Sequence, residues 1–280
     1  MTTDRRAGLE LVKRLVRPIA ILLFPKPVHR RRLSRQDRER EIDLLPVLVP
    51  RGREAVDVGA NIGAYSYPLS SLASHVHAFE PVPELAAFIS RVLPANVVVK
   101  NLAVSDTFAV LDLFVPIKGG REDTTAASVM TSASDPAGVH YQVQSTTLNT
   151  LSNHDVGFVK IDVEGHEVNV LQGADELIAK HRPTVLIEAE DRHRANAVQD
   201  VFTFFADRNY RGFFVLGNEL MAAEKFHSSL QDIDRLSPNL PRRECTYVNN
   251  FIFIPTERCN DKLIEAMETA LRTKASIFSA

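Results

Sequence analysis

Cysteine is scarce in this sequence, and long apolar runs are missing from it. Cys245 and Cys259 are the two cysteines among 280 residues, which cannot make a disulfide framework or a zinc site unaided, so we expect ordinary buried thiols in a reducing compartment. The uncharged stretch 18–25 is far shorter than the roughly 20 apolar residues of a transmembrane helix. Basic residues follow it where a signal peptide would carry small ones. These absences predict a cytoplasmic protein.

Charge is distributed unevenly along the chain. Residues 1–40 hold twelve Lys and Arg against four Asp and Glu, whereas the remainder holds 21 against 31. Apolar residues in this basic arm recur at helical spacing, which predicts an amphipathic helix that includes Leu9, Val12, Val16, Ile19 and Leu23. Pro18 would kink or restart that helix, because proline cannot donate a backbone hydrogen bond.

The basic arm, residues 1–45, has two interpretations. We favour a helix that packs on its own domain, which we place at 46–280. The alternative is a peripheral contact with anionic lipid at the inner face of the membrane. Nucleic acid is not an expected partner, because the rest of the chain is acidic and aromatic residues are not interleaved with the basic ones.

From about residue 46 onward, short β-rich apolar runs alternate with helical segments. This alternation predicts an α/β fold with a mostly parallel sheet and helices on both faces, a doubly wound, Rossmann-like architecture. The seven predicted strands are Glu54–Val58, Val76–Phe79, Val97–Asn101, Gly157–Asp162, Thr184–Glu188, Gly212–Leu216 and Tyr247–Ile254. Helices are predicted near 63–73, 84–92, 166–180, 194–208 and 257–273, and two further strands near Val110–Val115 and Val139–Gln144.

A glycine-bearing turn follows the first predicted strand. Asp57, Gly59, Asn61 and Gly63 lie in this turn, where the carboxyl end of a strand of a doubly wound sheet binds ligands. Glycine there lets the backbone approach the ligand closely, and Asp57 can take up the ammonium of a cofactor that carries an amino acid. The spacing is not the G-x-G-x-x-G of a pyrophosphate-binding turn.

The next two strands end in polar residues. Glu80, followed by Pro81, closes the second strand about twenty residues after the glycine turn, where a carboxylate accepts hydrogen bonds from ribose hydroxyls. Ser105 and Asp106 follow the third strand, and Asp106 is the candidate to accept from an adenine amino group or else an ordinary turn residue. The order of these positions predicts an adenosine-containing cofactor.

The end of the fourth strand is the densest in reactive groups. Asp162, Glu164 and His166 follow one another at alternate positions, and such groups are costly to bury without a purpose. Glu188 ends the fifth strand on the same edge of the sheet. These four residues are the candidate catalytic groups.

Four short motifs together resemble the FkbM-type methyltransferase family. They are Asp57–Gly63, Phe79–Pro81, Lys160–Gly165 and Leu171–Ala174, within a likeness that extends over about residues 55–255. The resemblance implies a class I fold that binds S-adenosylmethionine (SAM), an antiparallel last strand, and O-methylation of sugars or secondary metabolites. The expected acceptor is therefore a hydroxyl of a small molecule or a glycan.

Methylation of a hydroxyl calls for a general base, because an aliphatic hydroxyl is a poor nucleophile until it loses its proton. The candidates are, in order, Glu164, Asp162, His166 and Glu188. Asp162 could instead hold the cofactor. The same carboxylates could bind Mg²⁺, but no further Asp/Asn pair supports a metal site and none is predicted.

Two other function classes remain open at this stage. An NAD-linked oxidoreductase would also use an acidic strand end and a glycine turn, but its pyrophosphate turn and its catalytic Tyr/Lys or His pair are not found. A non-catalytic scaffold derived from a methyltransferase would be expected to have lost Asp57, Glu80 or Gly59, which are all present. Residues 118–139 are either a lid or a variable surface loop, and 218–246 could shape the acceptor pocket.

Overall fold

A computed structural model describes residues 39–118, 121–124, 127–129, 138–235 and 246–273, together with Lys26, His29 and Leu33. The predicted amphipathic helix of the arm and Cys245 lie outside these residues. Cys259 is a buried free thiol, as predicted. Among the described residues, no helix has the length and apolar character needed to cross a membrane.

Thirteen strands are formed by the described residues. They are β1 Glu54–Val58, β2 Val76–Phe79, β3 Val97–Lys100, β4 Ala103–Val104, β5 Val110–Lys118, β6 Arg121–Glu122, β7 Ser128–Val129, β8 Gly138–Thr146, β9 Val156–Ile161, β10 Thr184–Glu188, β11 Tyr210–Leu216, β12 Glu219–Ala222 and β13 Asn250–Pro255. The α-helices of the described residues are α1 Leu45–Leu48, α2 Ser66–Leu69, α3 Pro83–Val92, α4 Glu167–Gln172, α5 Asp175–His181, α6 Ala197–Ala206 and α7 Asp261–Thr273.

The main sheet has eight strands in the order β12-β11-β13-β10-β9-β1-β2-β3. Neighbours from β10 to β3 pair in parallel, and β13 runs antiparallel between β10 and β11. The predicted mostly parallel sheet with an antiparallel last strand is therefore confirmed. The eighth strand, β12, forms a hairpin with β11 and lies within 218–246, the segment that could shape the acceptor pocket.

Helices cover both faces of this sheet. Val185 and Ile187 of β10 pack with α4, α5 and α6 on one face, whereas Leu186 between them packs with α1, α2 and α7 on the other. This alternation follows from the two-residue period of a strand, and both faces are apolar because both are covered. The result is a three-layer α/β fold.

A second, five-stranded sheet is inserted between β3 and β9. Its order is β4-β8-β5-β6, and β7 pairs with β5. β5 and β8 contain the two additional predicted strands. β5 continues past the predicted end to Lys118, and β8 begins one residue earlier and ends two residues later than predicted. Val82, which follows the second strand of the main sheet, packs with Leu113, Val115 and Val143 of the insertion. The insertion therefore borders the edge where Glu80 lies.

The predicted helix 166–180 is wrong as a single element. α4 and α5 are separate, and Gly173 lies between them. A Cβ atom at Gly173 would lie 2.0 Å from the carbonyl oxygen of Ser105, so this position requires glycine. The next residue, Ala174, has φ −112° and ψ 3°, which interrupts the helix. Asn149 accepts a hydrogen bond from the backbone N–H of Leu177 in the first part of α5.

Several other predicted boundaries differ from those of the structure, and two of the differences have a visible cause. The helix expected at 63–73 is reduced to α2, because Gly63 has φ +80° and the hydroxyls of Ser70 and Ser71 donate to backbone carbonyls at the helix end. The last strand begins at Asn250 instead of Tyr247. The carbonyl of Val248 accepts from the side chain of Gln231, so the backbone there is bound outside the sheet.

The described part of the N-terminal arm packs on the domain. His29 is buried against the rings of Tyr67 and Phe88, and its Nε2 donates to the carbonyl oxygen of Ile62 over 2.6 Å. A 3₁₀-helix at Arg40–Leu44 leads directly into α1, and both are part of the core. The division of the chain at 45/46 stays a prediction.

Replacement of Gly173 by alanine is expected to destabilise the fold. The added methyl group meets the Ser105 carbonyl, so we expect urea unfolding to show a loss of about 1–3 kcal/mol. Gly217→Ala is the comparison, because nothing lies within 4 Å of an added Cβ there, so its loss of about 1 kcal/mol reports only the strain of alanine at φ +63°. Equal losses in the two variants would show that the close approach of the two segments is unimportant.

Candidate active site

The carboxyl ends of four adjacent parallel strands meet at one edge of the sheet. Asp57 lies in β1, Glu80 directly after β2, Asp162 directly after β9, and Glu188 at the end of β10. Backbone hydrogen bonds join the chain where it leaves these strands, from Asp162 N to Val58 O at 3.0 Å and from Gly59 N to Phe79 O at 3.0 Å. The structure therefore brings four predicted site residues to one edge.

The glycine turn is held close to the end of β9. Gly59 has φ +79°, and a Cβ atom there would lie 1.9 Å from the carbonyl oxygen of Asp162. Gly63 has φ +80° and faces Leu93, while Asn61 between them has φ +47°. A side chain at Gly59 would collide with backbone, so glycine is required for this approach.

The side chain of Glu80 binds this turn to the end of the second strand by a hydrogen bond. Its Oε2 accepts from the backbone N–H of Asn61 at 2.6 Å, and its Oε1 accepts from that of Val82 at 2.8 Å. Burial raises the pKa of Glu80 to about 7 despite these hydrogen bonds. Each oxygen keeps a further lone pair, so the carboxyl group can accept from additional hydroxyls. The carbonyl of the adjacent Pro81 accepts from the side chain of Asn101.

Asp57 is buried and bound to a neighbouring helix. Its Oδ2 accepts from the hydroxyl of Ser66 at 2.5 Å, and burial raises its pKa while Lys160 opposes that shift. The structure thus places Asp57 against the start of α2. Its predicted contact with an ammonium group stays a prediction.

Lys160 is the cation around which the acidic groups are arranged. Its side chain is 1% exposed, and its Nζ donates to the carbonyl oxygen of Ile161 and to Asn250 Oδ1. The same Nζ lies 3.8 Å from Asp162 Oδ2. Although burial acts to lower the pKa of Lys160, the neighbouring carboxylates, Asp162 first among them, raise it. Lys160 is therefore a charged group inside the sheet.

Asp162 and Glu188 are carboxyl groups that hold protons more strongly than usual. Burial, followed by the charge of nearby carboxylates, raises the pKa of Asp162 to about 7, and Lys160 only partly offsets this. Burial and the charge of Asp162 raise the pKa of Glu188 well above its ordinary value. Oε1 of Glu188 also accepts from the side chain of Asn249 at 2.5 Å.

Glu164 lies beside an ion pair that sequence reasoning missed. Its Oε2 is 2.8 Å from Nε2 of His193, which also lies 3.8 Å from Glu190 Oε1. Hydrogen bonds to these two carboxylates raise the pKa of His193 to about 9, so the imidazole is protonated at neutral pH. Glu190 is buried and bound by Arg192 and by the hydroxyl of Tyr247.

His166 has partners on a different side of the candidate site. Its Nε2 lies 2.9 Å from the hydroxyl of Ser105, which donates to Oδ1 of Asp106 at 2.8 Å. Burial lowers the pKa of His166, which leaves the ring neutral. The structure thus joins His166 to Ser105 and Asp106, the two residues predicted to lie near an adenine.

The segment before α1 adds carboxylates that the sequence analysis did not assign to the site. Glu39 accepts from the hydroxyl of Tyr65 at 2.6 Å, and its charge raises the pKa values of Lys160, Asp162 and Glu188. Glu41 is buried, and burial raises its pKa to about 8. Both residues fall within a basic stretch, which hid their position.

Three of these carboxylates could hold a metal ion. Oxygen atoms of Asp162, Glu164 and Glu188 lie within 4.8 Å of one another, and oxygen is the ligand that Mg²⁺ prefers. Acidic groups are also common without a metal, and the expectation that none is needed stays a prediction.

Comparison with known proteins gives one family and several fold neighbours. The model of the "Methyltransferase FkbM domain" matches residues 57–211. A "Probable ribosomal RNA small subunit methyltransferase A" from Pyrobaculum islandicum is 42% identical over 52 residues, which are 19% of this chain and 22% of the relative. This match therefore spans less than a quarter of the curated relative.

Two solved methyltransferases are similar in structure at low identity. The FkbM methyltransferase of Methylobacillus flagellatus KT is 16% identical with a TM-score of 0.45, and the alignment covers 72% of this chain but 43% of that one. An rRNA methylase of Streptococcus thermophilus is 10% identical with a TM-score of 0.43, over 77% and 93% of the two chains.

The matched region extends from Asp57 in β1 to Arg211 in β11. It includes the glycine turn, Glu80, the strand end at Asp162 and Glu164, and Glu188, and it covers more than half of the chain. The resemblance noted from the four sequence motifs is thereby confirmed. This chain belongs to the FkbM methyltransferase family, whose members are SAM-dependent enzymes.

Proposed function

We propose that this enzyme is an O-methyltransferase that moves the methyl group of SAM to a hydroxyl of a sugar, a glycan or a secondary metabolite. The observation that carries the proposal is the pair Asp162 and Glu188, two partly buried carboxyl groups with raised pKa values beside Lys160. A carboxylate whose pKa lies near neutrality is suited to take the proton of a hydroxyl. A neutral amine nitrogen is already nucleophilic, so its methylation does not depend on such a base.

The residues at the glycine turn fit SAM. Gly59 leaves the backbone open to a ligand, and the carboxyl group of Glu80 has lone pairs left for ribose hydroxyls. SAM has no phosphate, which agrees with the lack of a pyrophosphate turn. Asp57 would hold the amino-acid end, and Ser105 with Asp106 the adenine. When bound, SAM supplies an electrophilic methyl group on a sulfonium.

The protein's part in the reaction is to hold the acceptor in line and to remove its proton. The hydroxyl oxygen gains the bond to the methyl carbon as the carbon–sulfur bond breaks, and the hydroxyl proton passes to a carboxylate. Asp162 is the base we favour, because one oxygen of Glu164 is already paired with the protonated His193. Glu164 and His193 would then orient the acceptor.

The donor is tested by isothermal titration of the purified protein with SAM, S-adenosylhomocysteine and NAD. We expect both adenosyl compounds to bind and NAD not to bind. Binding of NAD alone would favour the NAD-linked oxidoreductase, and binding of none of the three would favour a non-catalytic scaffold. Methyl-labelled SAM with panels of sugars and hydroxylated metabolites then tests the acceptor, and labelling of protein nitrogen alone would refute O-methylation.

Glu80→Gln is expected to weaken SAM binding by roughly 10–100-fold. The amide group cannot accept at both ends, so it loses either a ribose hydroxyl or one of the backbone donors from Asn61 and Val82. Glu84→Gln, an exposed position four residues later, should leave the affinity unchanged. Titration calorimetry measures both, and equal affinities for the two variants would place the ribose elsewhere.

The reaction rate should depend on the protonation of Asp162. Only its carboxylate form can take a proton, so kcat/KM should rise with pH and level off above about 7. Asp162→Asn should lower kcat by about 10²–10⁴-fold and remove this rise. The exposed control Asp207→Asn should keep the wild-type profile. A variant Asp162→Asn that retains the pH-dependent limb would assign the base to another group.

A further inference from the structure

A second group of reactive side chains lies at the opposite edge of the main sheet. Glu54 begins β1, His77 is the second residue of β2, and His154 precedes β9 by two residues. These are three neighbouring strands in the sheet order β9-β1-β2. Because β1 is five residues long, this group lies roughly 13 Å from the catalytic edge. It takes no part in the methyl-transfer site described above.

The nitrogens of both histidines point at one carboxylate oxygen. Nε2 of His77 lies 2.6 Å and Nδ1 of His154 lies 2.9 Å from Oε2 of Glu54. The two rings meet edge to face with centroids 4.8 Å apart. One ligand atom from each residue lies within 4.8 Å of the other two. Three donor atoms from three separate strand ends therefore converge on one point.

The group is exposed to solvent on one side. The side chains of His77, Glu54 and His154 are 8%, 20% and 43% exposed. His77 is held within the sheet, whereas His154 reaches solvent. An ion could enter along His154, and a water molecule could occupy the position that the protein leaves free.

We propose that Glu54, His77 and His154 form a zinc site. Two imidazole nitrogens and one carboxylate oxygen, with a water as the fourth ligand, are a donor set that Zn²⁺ accepts in tetrahedral geometry. The two imidazoles favour zinc over magnesium or calcium, which prefer oxygen. Zinc–ligand bonds of about 2.0–2.2 Å require the Glu54 oxygen to move by roughly 0.5–1 Å. The ring protons that now bridge to it move to the other ring nitrogens, Nδ1 of His77 and Nε2 of His154, so both imidazoles stay neutral when the metal binds.

The charges around the group are compatible with a cation. Glu54 supplies the negative charge, and no Lys or Arg makes an ion pair with it among the described residues. Lys100 on the neighbouring β3 is the opposing charge, and it acts on His77. Repulsion by Lys100 would weaken the site without removing its ligands.

The position of the site gives zinc a structural part in the enzyme. The three strands that it would join carry Asp57, Glu80 and Asp162 at or next to their other ends. An ion that fixes the amino ends of these strands therefore fixes the frame on which the methyl-transfer residues are spaced. The ion itself would not touch the reacting atoms.

The test is a titration of the chelator-treated full-length protein with Zn²⁺ in the absence of SAM. We expect one Zn²⁺ per chain at micromolar affinity or tighter, and a rise in Tm of about 5 °C when zinc is at 100 times its Kd. His154→Ala should weaken zinc binding by about 100-fold and abolish the rise in Tm. His140→Ala is the matched control, because His140 is a half-exposed histidine paired with a single carboxylate, Asp112.

Three results would overturn the proposal. The absence of zinc binding would mean that the group is only a hydrogen-bonded trio, and equal affinities of wild type and His154→Ala would place the ion elsewhere. Loss of zinc binding in His193→Ala instead would assign the ion to the cluster of Glu164, Glu190 and His193. Circular dichroism checks that each variant is folded, and Glu54→Gln, which keeps the side-chain size, replaces His154→Ala if the latter is not. The donor titration with SAM is separate, so failure of one proposal leaves the other standing.

Discussion

The charge of Lys160 is the constraint on which the candidate active site depends. A buried ammonium is costly unless carboxylates and hydrogen-bond acceptors surround it, and Lys160 has Asp162, Asn250 and a backbone carbonyl around its nitrogen. Conversely, the charge of Lys160 lowers the pKa values of Asp162 and Glu188 and so favours their ionised forms. The acidic edge and the cation in β9 are therefore parts of one arrangement.

That arrangement also explains why the site is poised near neutral pH. Burial raises the pKa values of Asp162, Glu188 and Glu41, and repulsion among nearby carboxyl groups raises them further. Such repulsion costs stability in the resting protein, a common price of an active site. The apolar layers on both faces of the sheet supply the stability that offsets it.

Much of the fold could be predicted from the sequence because its signals are local. β1, β2 and β10 have the predicted bounds, since each is a short apolar run between turn residues. The break at Gly173 could not be predicted, because the helical spacing of Val168, Leu171, Ala174 and Ile178 continues across it. Asp162, Glu164 and Glu188 share one edge as expected from parallel strands.

Other members of the candidate site were missed for a similar reason. His193 and Glu190 follow β10 in a loop without a recognisable motif, and their pairing with Glu164 exists only in the folded chain. Glu39 lies in a stretch whose composition is dominated by arginine. Its contact with Tyr65 depends on how the chain returns to the sheet before α1. Composition described the arm as a whole and could not reveal one residue with a different role.

The position of Glu39 has a consequence for how specificity could diverge within this family. The residues shared with the family begin at Asp57, after this carboxylate has entered the site. A relative could therefore keep every matched strand and still present a different group beside Lys160, simply by altering the few residues that precede its first helix. The matched region contains the residues proposed to hold SAM and the proposed base, whereas Glu39 lies before it, so a family comparison does not reveal what stands at this position.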